Sequence, residues 1–550
     1  MATPNVVWIA MEDVSPRFGC SGDDVARTPR IDALASEGRR YPNTFCTAPV
    51  CAPSRSAVLT GCHQNRIGTH HMRTDTHDRA GLPDSYDAVP PHYVTGITEY
   101  FRRAGYFCTL DSKTDYQFGE PVTMWDRHGD GAGWWDDQRE DDQPFFAMFT
   151  NGVTHESGMW DPDLQDWRAG GAPEALDTDP DAVEVPPYLP DTGATRESIA
   201  RHYDNLAASD AWIGDLLDRL AADGHAEETI VVLWSDHGEG LPRCKRWPYD
   251  SGTNVPLVVR WPGELDDGDV DNRLVSLHDL GPTMLELCGL DVPPYVDGSP
   301  FYGEGATERE YVVSTRDRYD EEYDMVRSVR GERYRYVRHY RPGRPYRQWI
   351  PYRNRHPAMR ELLERAASGD LEGAEQWFDA DRPAEELYDL ESDPHETENL
   401  VEDQAHADAL ERLRRALDDW RERVDDVGDV AETEMVHARY EGGDQPTTAT
   451  PEFVPNAPGN REREAVSGDV AFDGPATLSL YCATQGASLA YALGRGSDVD
   501  QGDGDEGDTH WQLYTGPIDL PEGETTVRAK AIRYGYEESD ATSVTVTVSA

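Results

Sequence analysis

Four short apolar runs stand out from an otherwise polar chain. They are "NVVWIAM" (5–11), "GYFCTL" (105–110), "PFFAMFT" (144–150) and "ETIVVLW" (228–234), continuous rather than alternating. Runs of this kind predict strands buried on both faces, as in a parallel sheet. Between the last two lies "ESIARHYDNLAASDAWIGDLLDRLAADG", apolar at helical spacing and closed by Gly224. Strands alternating with helices predict an α/β fold. Farther on, "ALERLRRALDDWRERV" puts Leu410, Leu413, Leu417, Trp420 and Val424 on one stripe, a core-facing helix face. Residues 425–468 are polar with Pro and Gly and read as a linker. After 470 the pattern alternates, as in "TTVRAKAIRYGY" and "TSVTVTVSA", which predicts a small β-sandwich. The expected division is therefore a core over 1–304, a smaller α+β subdomain over 305–430, a linker over 431–469 and a sandwich over 470–550.

Ionisable residues follow each of the four apolar runs. Glu12 and Asp13 follow the first, Lys113 the second, His155 the third, and Asp236 with His237 the fourth. Sites in open parallel sheets form beyond the carboxyl ends of the strands, so these groups are candidates for one site.

Charge changes the picture next. The chain has 105 Asp and Glu against 51 Lys and Arg among 550 residues, a formal net charge of −54. Nucleic-acid binding needs a cationic face, so that class is excluded. Lysine is confined to Lys113, Lys245 and Lys530, and acid-rich, lysine-poor surfaces resemble those of extreme halophiles. Eight scattered cysteines with no C-x-x-C pair argue against a disulfide framework or structural zinc. "MATPNVVWIAMEDVSP" lacks the features of a signal peptide, and no run approaches a membrane span, so the expectation is a cytoplasmic protein. "DVDQGDGDEGD" misses the EF-hand spacing and reads as a solvated acidic loop.

The segment "CTAPVCAPSRSAVLTG" carries the chemistry. Pro53 and Ser54 suit a first helical turn, which puts Cys51 at a helix N-terminus, where the dipole favours negative charge. Read locally, Cys51 is either a small buried residue or a nucleophile. The eleven residues "CAPSRSAVLTG" resemble the sulfatase signature C-x-P-S-R-x-x-x-L-T-G at every specified position. "NVVWIAMEDVSP" looks like that family's first strand with its acidic metal pair, although the usual Asp-Asp is Glu12-Asp13 here. "SDHGEG" resembles its second metal segment, and "AMEDVSP", "SKTDYQF" and "TNGVTHES" look closest to heparan N-sulfatase-like (sulfamidase) members. "WQLYTGPIDL" and "VRAKAIRYGY" resemble the C-terminal β-sandwich of chitobiase and hexosaminidase enzymes.

The resemblance implies an alkaline-phosphatase-like α/β sheet flanked by helices, and a Cys51 that a separate maturation enzyme converts to formylglycine. It implies hydrolysis of a sulfate ester or sulfamate on a small molecule or glycan. One hydroxyl of the aldehyde hydrate attacks sulfur, and the other later expels sulfate. It implies a divalent ion held by Glu12, Asp13, Asp236, His237 and the modified Cys51. Oxygen ligation favours Ca²⁺ or Mg²⁺, and His237 makes Mn²⁺ an alternative. Arg55 lies one turn from Cys51. Lys113 matches the family's sulfate-contacting lysine, Lys245 the basic residue that follows the second metal segment, and His155 the active-site histidine near the leaving group, whereas His70 and His71 stay unassigned. The alternatives are a phosphomonoesterase or phosphodiesterase of the same fold, and a non-catalytic protein binding sulfated glycans through the Arg/Tyr stretch 327–355.

A net charge of −54 repels itself and any anionic substrate, and molar salt shortens the screening length to about 3 Å. Melting temperature and kcat/KM should therefore both rise from low to molar KCl. An optimum at low salt in either measurement contradicts the halophile reading.

Overall fold

The computed structural model describes residues 3–75, 81–163, 169–440, 442–457, 460, 462–494 and 509–549. The acidic loop at 498–508 lies outside them. The chain divides into two compact bodies, Met1–Leu82 with Met148–Asp429, and Pro83–Ala147 with Val430–Ala550.

In the first body a mixed sheet carries Asn5–Met11, Thr229–Ser235, Leu257–Arg260, Arg39–Arg40 and Asp269–Val270 side by side in that order. Asn5–Met11 and Thr229–Ser235 pair in parallel, from Asn5 opposite Thr229 to Met11 opposite Ser235. Both are buried along their whole length, as their unbroken apolar runs require. The long helix Gly193–Ala222 starts at Thr192, whose side chain accepts from the Thr195 amide. The signature helix spans Cys51–Thr60, with extended Val50 before it and Gly61 at φ 67° after it. It therefore begins two residues ahead of Pro53, and every residue in it is buried.

A second, antiparallel sheet in this body orders Val312–Arg316, Val326–Arg330, Tyr334–His339 and Glu385–Asp389. The predicted stripe of helix Ala407–Val424 packs on it, against Val313, Val329, Tyr336 and Leu387. Glu386, on the edge strand, is buried and accepts hydrogen bonds from Tyr249 (2.9 Å), Tyr388 (3.0 Å) and Tyr346, with His339 Nε2 at 2.8 Å.

In the second body Phe107–Asp111 pairs in parallel with Arg127–His128. Its C-terminal part is a sandwich of a three-stranded and a five-stranded sheet around Phe453, Leu478, Leu480, Val527, Val544 and Val546. The strand Glu452–Asn456 and the helix Glu432–Arg439 fall inside the stretch whose composition reads as a linker. Glu99 ties the two parts of this body together. It is fully buried and accepts from Thr123 Oγ1 (2.6 Å), Ser488 Oγ (2.7 Å) and the Tyr534 hydroxyl (3.0 Å). Among the described residues no helix is long and apolar enough to cross a membrane.

Burial alone would raise the Glu386 carboxyl, but His339, the Tyr346 hydroxyl and the Arg243 charge take it from an ordinary 4.5 down to about 2. Its folded value is depressed, so its contribution is full above about pH 4.5 and is lost as pH falls toward 2. Glu386→Gln should cost on the order of 3 kcal/mol at pH 7 and flatten the acid limb of a stability-versus-pH curve. An unchanged acid limb in denaturant titrations would overturn this assignment.

Candidate active site

The parallel register sets the site. Met11 and Ser235 lie side by side, so the next residues, Glu12-Asp13 and Asp236-His237, leave the sheet together. Asp13 takes φ 56°, a left-handed backbone that costs a non-glycine residue roughly 1–2 kcal/mol. The turn is held by the Asp13 amide donating to Asp236 Oδ1 (3.2 Å) and the Val14 amide donating to Ser235 Oγ (3.0 Å). Ser54 Oγ of the signature helix donates to the Asp236 carbonyl (2.6 Å), docking that helix on the strand end. Cys51 Sγ then stands 3.3 Å from His237 Nε2.

Charges interlock around this point. Asp13 Oδ2 accepts from Lys245 Nζ and from the Glu156 amide, both at 2.8 Å. Asp13 Oδ1 is buried with no hydrogen-bond donor, 3.2 Å from His237 Nε2. Arg55 Nε donates to Asp236 Oδ2 (3.1 Å) and its Nη1 to Thr150 Oγ1 (3.3 Å). Glu12 turns to Arg55 Nη2, 3.5 Å away. Lys245 Nζ reaches His155 Nε2 (3.3 Å) and Glu156 Oε1 (3.2 Å). Glu156 is gripped in bidentate fashion by Arg246, at 2.9 and 3.1 Å, and Arg246 Nε also donates to Asp320 (3.0 Å). Gly240 allows the close packing, because a Cβ there would sit 2.5 Å from Glu156 Cβ.

Protonation follows from these contacts. Burial and the Lys245 charge hold His155 below its ordinary value, so it is a neutral imidazole accepting from Lys245. Burial opposes charge on Lys245, yet Asp13, Cys51 and Glu156 outweigh it and keep the ammonium. His237 Nδ1 faces the Gly238 carbonyl at 2.9 Å and must donate to it, which turns Nε2 toward Asp13 Oδ1, Asp236 Oδ1 (3.7 Å) and Cys51. A lone pair aimed at carboxylate oxygens is repulsive unless a proton or a metal ion lies between them. Burial works against the proton, but Asp236, Asp13 and Cys51 still raise His237 to about 9. The orphaned Asp13 Oδ1 and the convergence of imidazole, carboxylates and sulfur therefore fit a divalent cation. Two such clusters stand out: Asp13, Cys51 and His155, and Cys51, Asp236 and His237.

The first body thus brings together Glu12, Asp13, Cys51, Arg55, His155, Asp236, His237 and Lys245. Lys113 belongs to the second body, where it pairs with Asp115 at 3.5 Å. Cys46 is a separate buried thiol facing the Gly252 carbonyl, and all eight cysteines are free. Glu156, Arg246 and Thr150 escaped the sequence reading. Their only signal is adjacency, Glu156 to His155 and Arg246 to Lys245.

Comparison with known proteins decides the family. The Sulfatase family model matches residues 4–290, and the model for the C-terminal region of N-sulphoglucosamine sulphohydrolase matches residues 240–354. An ulvan-active sulfatase of Formosa agariphila is 36% identical over 98% of this chain and 91% of its own length. The chain belongs to the sulfatase family. Human N-sulphoglucosamine sulphohydrolase is 27% identical over 76% of this sulfatase and 89% of its own length. A solved 2-O GAG sulfatase superposes with TM-score 0.57 at 21% identity, over 78% of this chain and 94% of that one, and shares the fold. This sulfatase is by class a sulfuric ester hydrolase, which favours that reading over the phosphoesterase and glycan-binding alternatives. Family members generally use a metal ion and a cysteine-derived formylglycine.

Chelation with EDTA should lower the melting temperature of this sulfatase, and Ca²⁺, Mg²⁺ or Mn²⁺ should restore it. Asp13→Asn should weaken cation binding by about tenfold or more in calorimetry. An identical cation response in that variant contradicts the ligand set.

Proposed function

We propose that this sulfatase releases sulfate from a sulfated polysaccharide or its fragments, with Cys51 converted to formylglycine and a divalent cation held by Asp13, Asp236 and His237, with Glu12 and the modified Cys51 completing the set. The observation that carries the proposal is Cys51 Sγ at 3.3 Å from His237 Nε2, inside a buried carboxylate cluster at a helix N-terminus. When present, the ion neutralises sulfate charge and acidifies an attacking hydroxyl, and the Cys51-derived aldehyde hydrate offers two hydroxyls on one carbon. Ca²⁺ is the ion of choice for an oxygen-rich set, with Mg²⁺ and Mn²⁺ as alternatives.

Arg55 fixes the Asp236 carboxylate and directs positive charge toward the Cys51 side chain. The Lys245 ammonium faces the sulfate oxygens and is anchored by Asp13. His155 Nε2, beside Lys245 Nζ, handles the proton of the leaving group. Lys113 is assigned to a sulfate oxygen by the family resemblance alone. Arg246 and Glu156 position Lys245 by enclosing it in a fixed ion-pair frame. Cys51 is fully buried once the chain has folded, so a maturation enzyme acts on it earlier, on the unfolded chain. The name of the 36% identical relative supports a sulfated polysaccharide as the substrate class.

Cys51→Ala should abolish sulfate release with the melting temperature unchanged, and Cys46→Ala should stay active. Lys245→Ala should lose about a hundredfold or more in kcat, as removal of a charge-stabilising group does. The mass of the Cys51 peptide reports the aldehyde in active material. Full turnover in Cys51→Ala, or an unmodified thiol in active protein, would sink the mechanism.

A further inference from the structure

Within the Arg/Tyr stretch the structure separates two populations of arginine. Arg327, Arg330 and Arg335 point inward. Arg327 binds Asp317 and Asp426, Arg330 binds Asp250, and Arg335 binds Asp250 and Glu396, all with buried guanidinium groups. These are held by the fold and offer nothing to a ligand. The following loop, "RPGRPYRQWIPYRNR" (341–355), is different. It carries five arginines and no acidic residue in a chain of net charge −54. Arg341, Arg344 and Arg347 are exposed, and so is Trp349, at 63% of its surface. Arg341 enters no ion pair among the described residues. Arg344 reaches Glu322 at 3.8 Å and Arg347 reaches Asp379 at 3.2 Å, through half-exposed side chains. Surface pairs of that kind are worth little and exchange readily for another anion.

The same loop ends at the catalytic residues. The Tyr352 ring lies 6.2 Å from the His155 ring and 4.8 Å from that of Trp160. Arg355 stacks over Tyr352 with its guanidinium carbon 5.7 Å from the ring centre. Trp349 is three residues from Tyr352, so at most about 11 Å of chain separates it from the residue beside His155. A tryptophan side chain supplies a large, rigid contact area at low entropic cost. Arginine forks match planar and tetrahedral oxyanions.

We infer that loop 341–355 is a binding subsite for the sugar units next to the one that loses sulfate, with Trp349 stacking on a sugar face and Arg341, Arg344 and Arg347 pairing with sulfate or carboxylate groups along an anionic polysaccharide. The inference rests on the proposed sulfatase activity toward such chains and names the element that selects them. It distinguishes a polymer substrate from a small sulfate ester, which is too short to span from the reacting group to Trp349 and the exposed arginines.

The experiment compares matured wild type with Trp349→Ala and with a triple Arg341→Ser, Arg344→Ser, Arg347→Ser variant. The substrates are p-nitrophenyl sulfate and oligosaccharide fragments of ulvan and of heparan sulfate. Each variant should lose about tenfold in kcat/KM on the oligosaccharide that wild type turns over, through KM, as truncation of an exposed anchor does. On p-nitrophenyl sulfate each should stay within about twofold of wild type, with an unchanged melting temperature. The triple variant should also show a weaker salt dependence of oligosaccharide KM. Equal losses on both substrates, or none on the oligosaccharide, overturn the subsite. A parallel calorimetric titration of the same fragments into Cys51→Ala protein, with and without Trp349→Ala, separates this inference from the catalytic one. Binding that disappears with Trp349 while wild type hydrolyses nothing supports the loop and refutes the activity. Absence of binding by any of the fragments refutes the loop whatever the turnover.

Discussion

Asp13 and Asp236 are carboxylates with no exposed surface, and an unpaired buried charge costs several kcal/mol. The surroundings of both are organised to meet that cost. Arg55 answers Asp236, Lys245 answers Asp13, and His237 stands between them. Lys245 is itself buried and needs Glu156, and Glu156 needs Arg246. Each charge is thus enclosed by the next, outward to Asp320. Asp13 Oδ1, at the centre of the cluster and toward the imidazole, is left without a donor. A cation placed there would complete the electrostatics of the assembly.

Backbone geometry serves that arrangement. Parallel pairing in register delivers Glu12-Asp13 and Asp236-His237 at one sheet end, and left-handed Asp13 bends its carboxylate across to the neighbouring strand. Arg246 is left-handed as well, at φ 76°, which lets Lys245 and Arg246 enter the site from one short loop with their side chains on different acids. Strain of this kind persists where many contacts hold it, and here the contacts are ion pairs between buried groups.

Arginine does most of the internal work in this acidic chain. Its fork satisfies two carboxylates at once, as Arg327 does with Asp317 and Asp426, where a lysine would offer a single point charge. Arg330 and Arg335 both pair with Asp250 and so tie the antiparallel sheet to the segment after strand Thr229–Ser235, while the apolar stripe of helix Ala407–Val424 packs on that sheet. Surface positions carry the excess acid, and Arg341, Arg344 and Arg347 lie exposed among them.

Much of this was legible in the chain itself. The apolar runs at 5–11, 144–150 and 228–234 became strands within a residue of their expected bounds, because burial on both faces leaves a local, continuous signature. Cys51, Arg55 and the acidic pairs were readable because the signature and the strand ends lie in short contiguous segments. What the tertiary structure alone decided depends on residues far apart in sequence. It turned Glu12 toward Arg55, set Glu156 between Lys245 and Arg246, and drew Arg327, Arg330 and Arg335 inside while leaving Arg341, Arg344 and Arg347 exposed. It also joined 83–147 with 430–550 through Glu99, whose partners lie up to 435 positions away. A charged residue looks the same in sequence whether water or a buried partner satisfies it. Only the folded chain, which sets the distance and the burial, determines which.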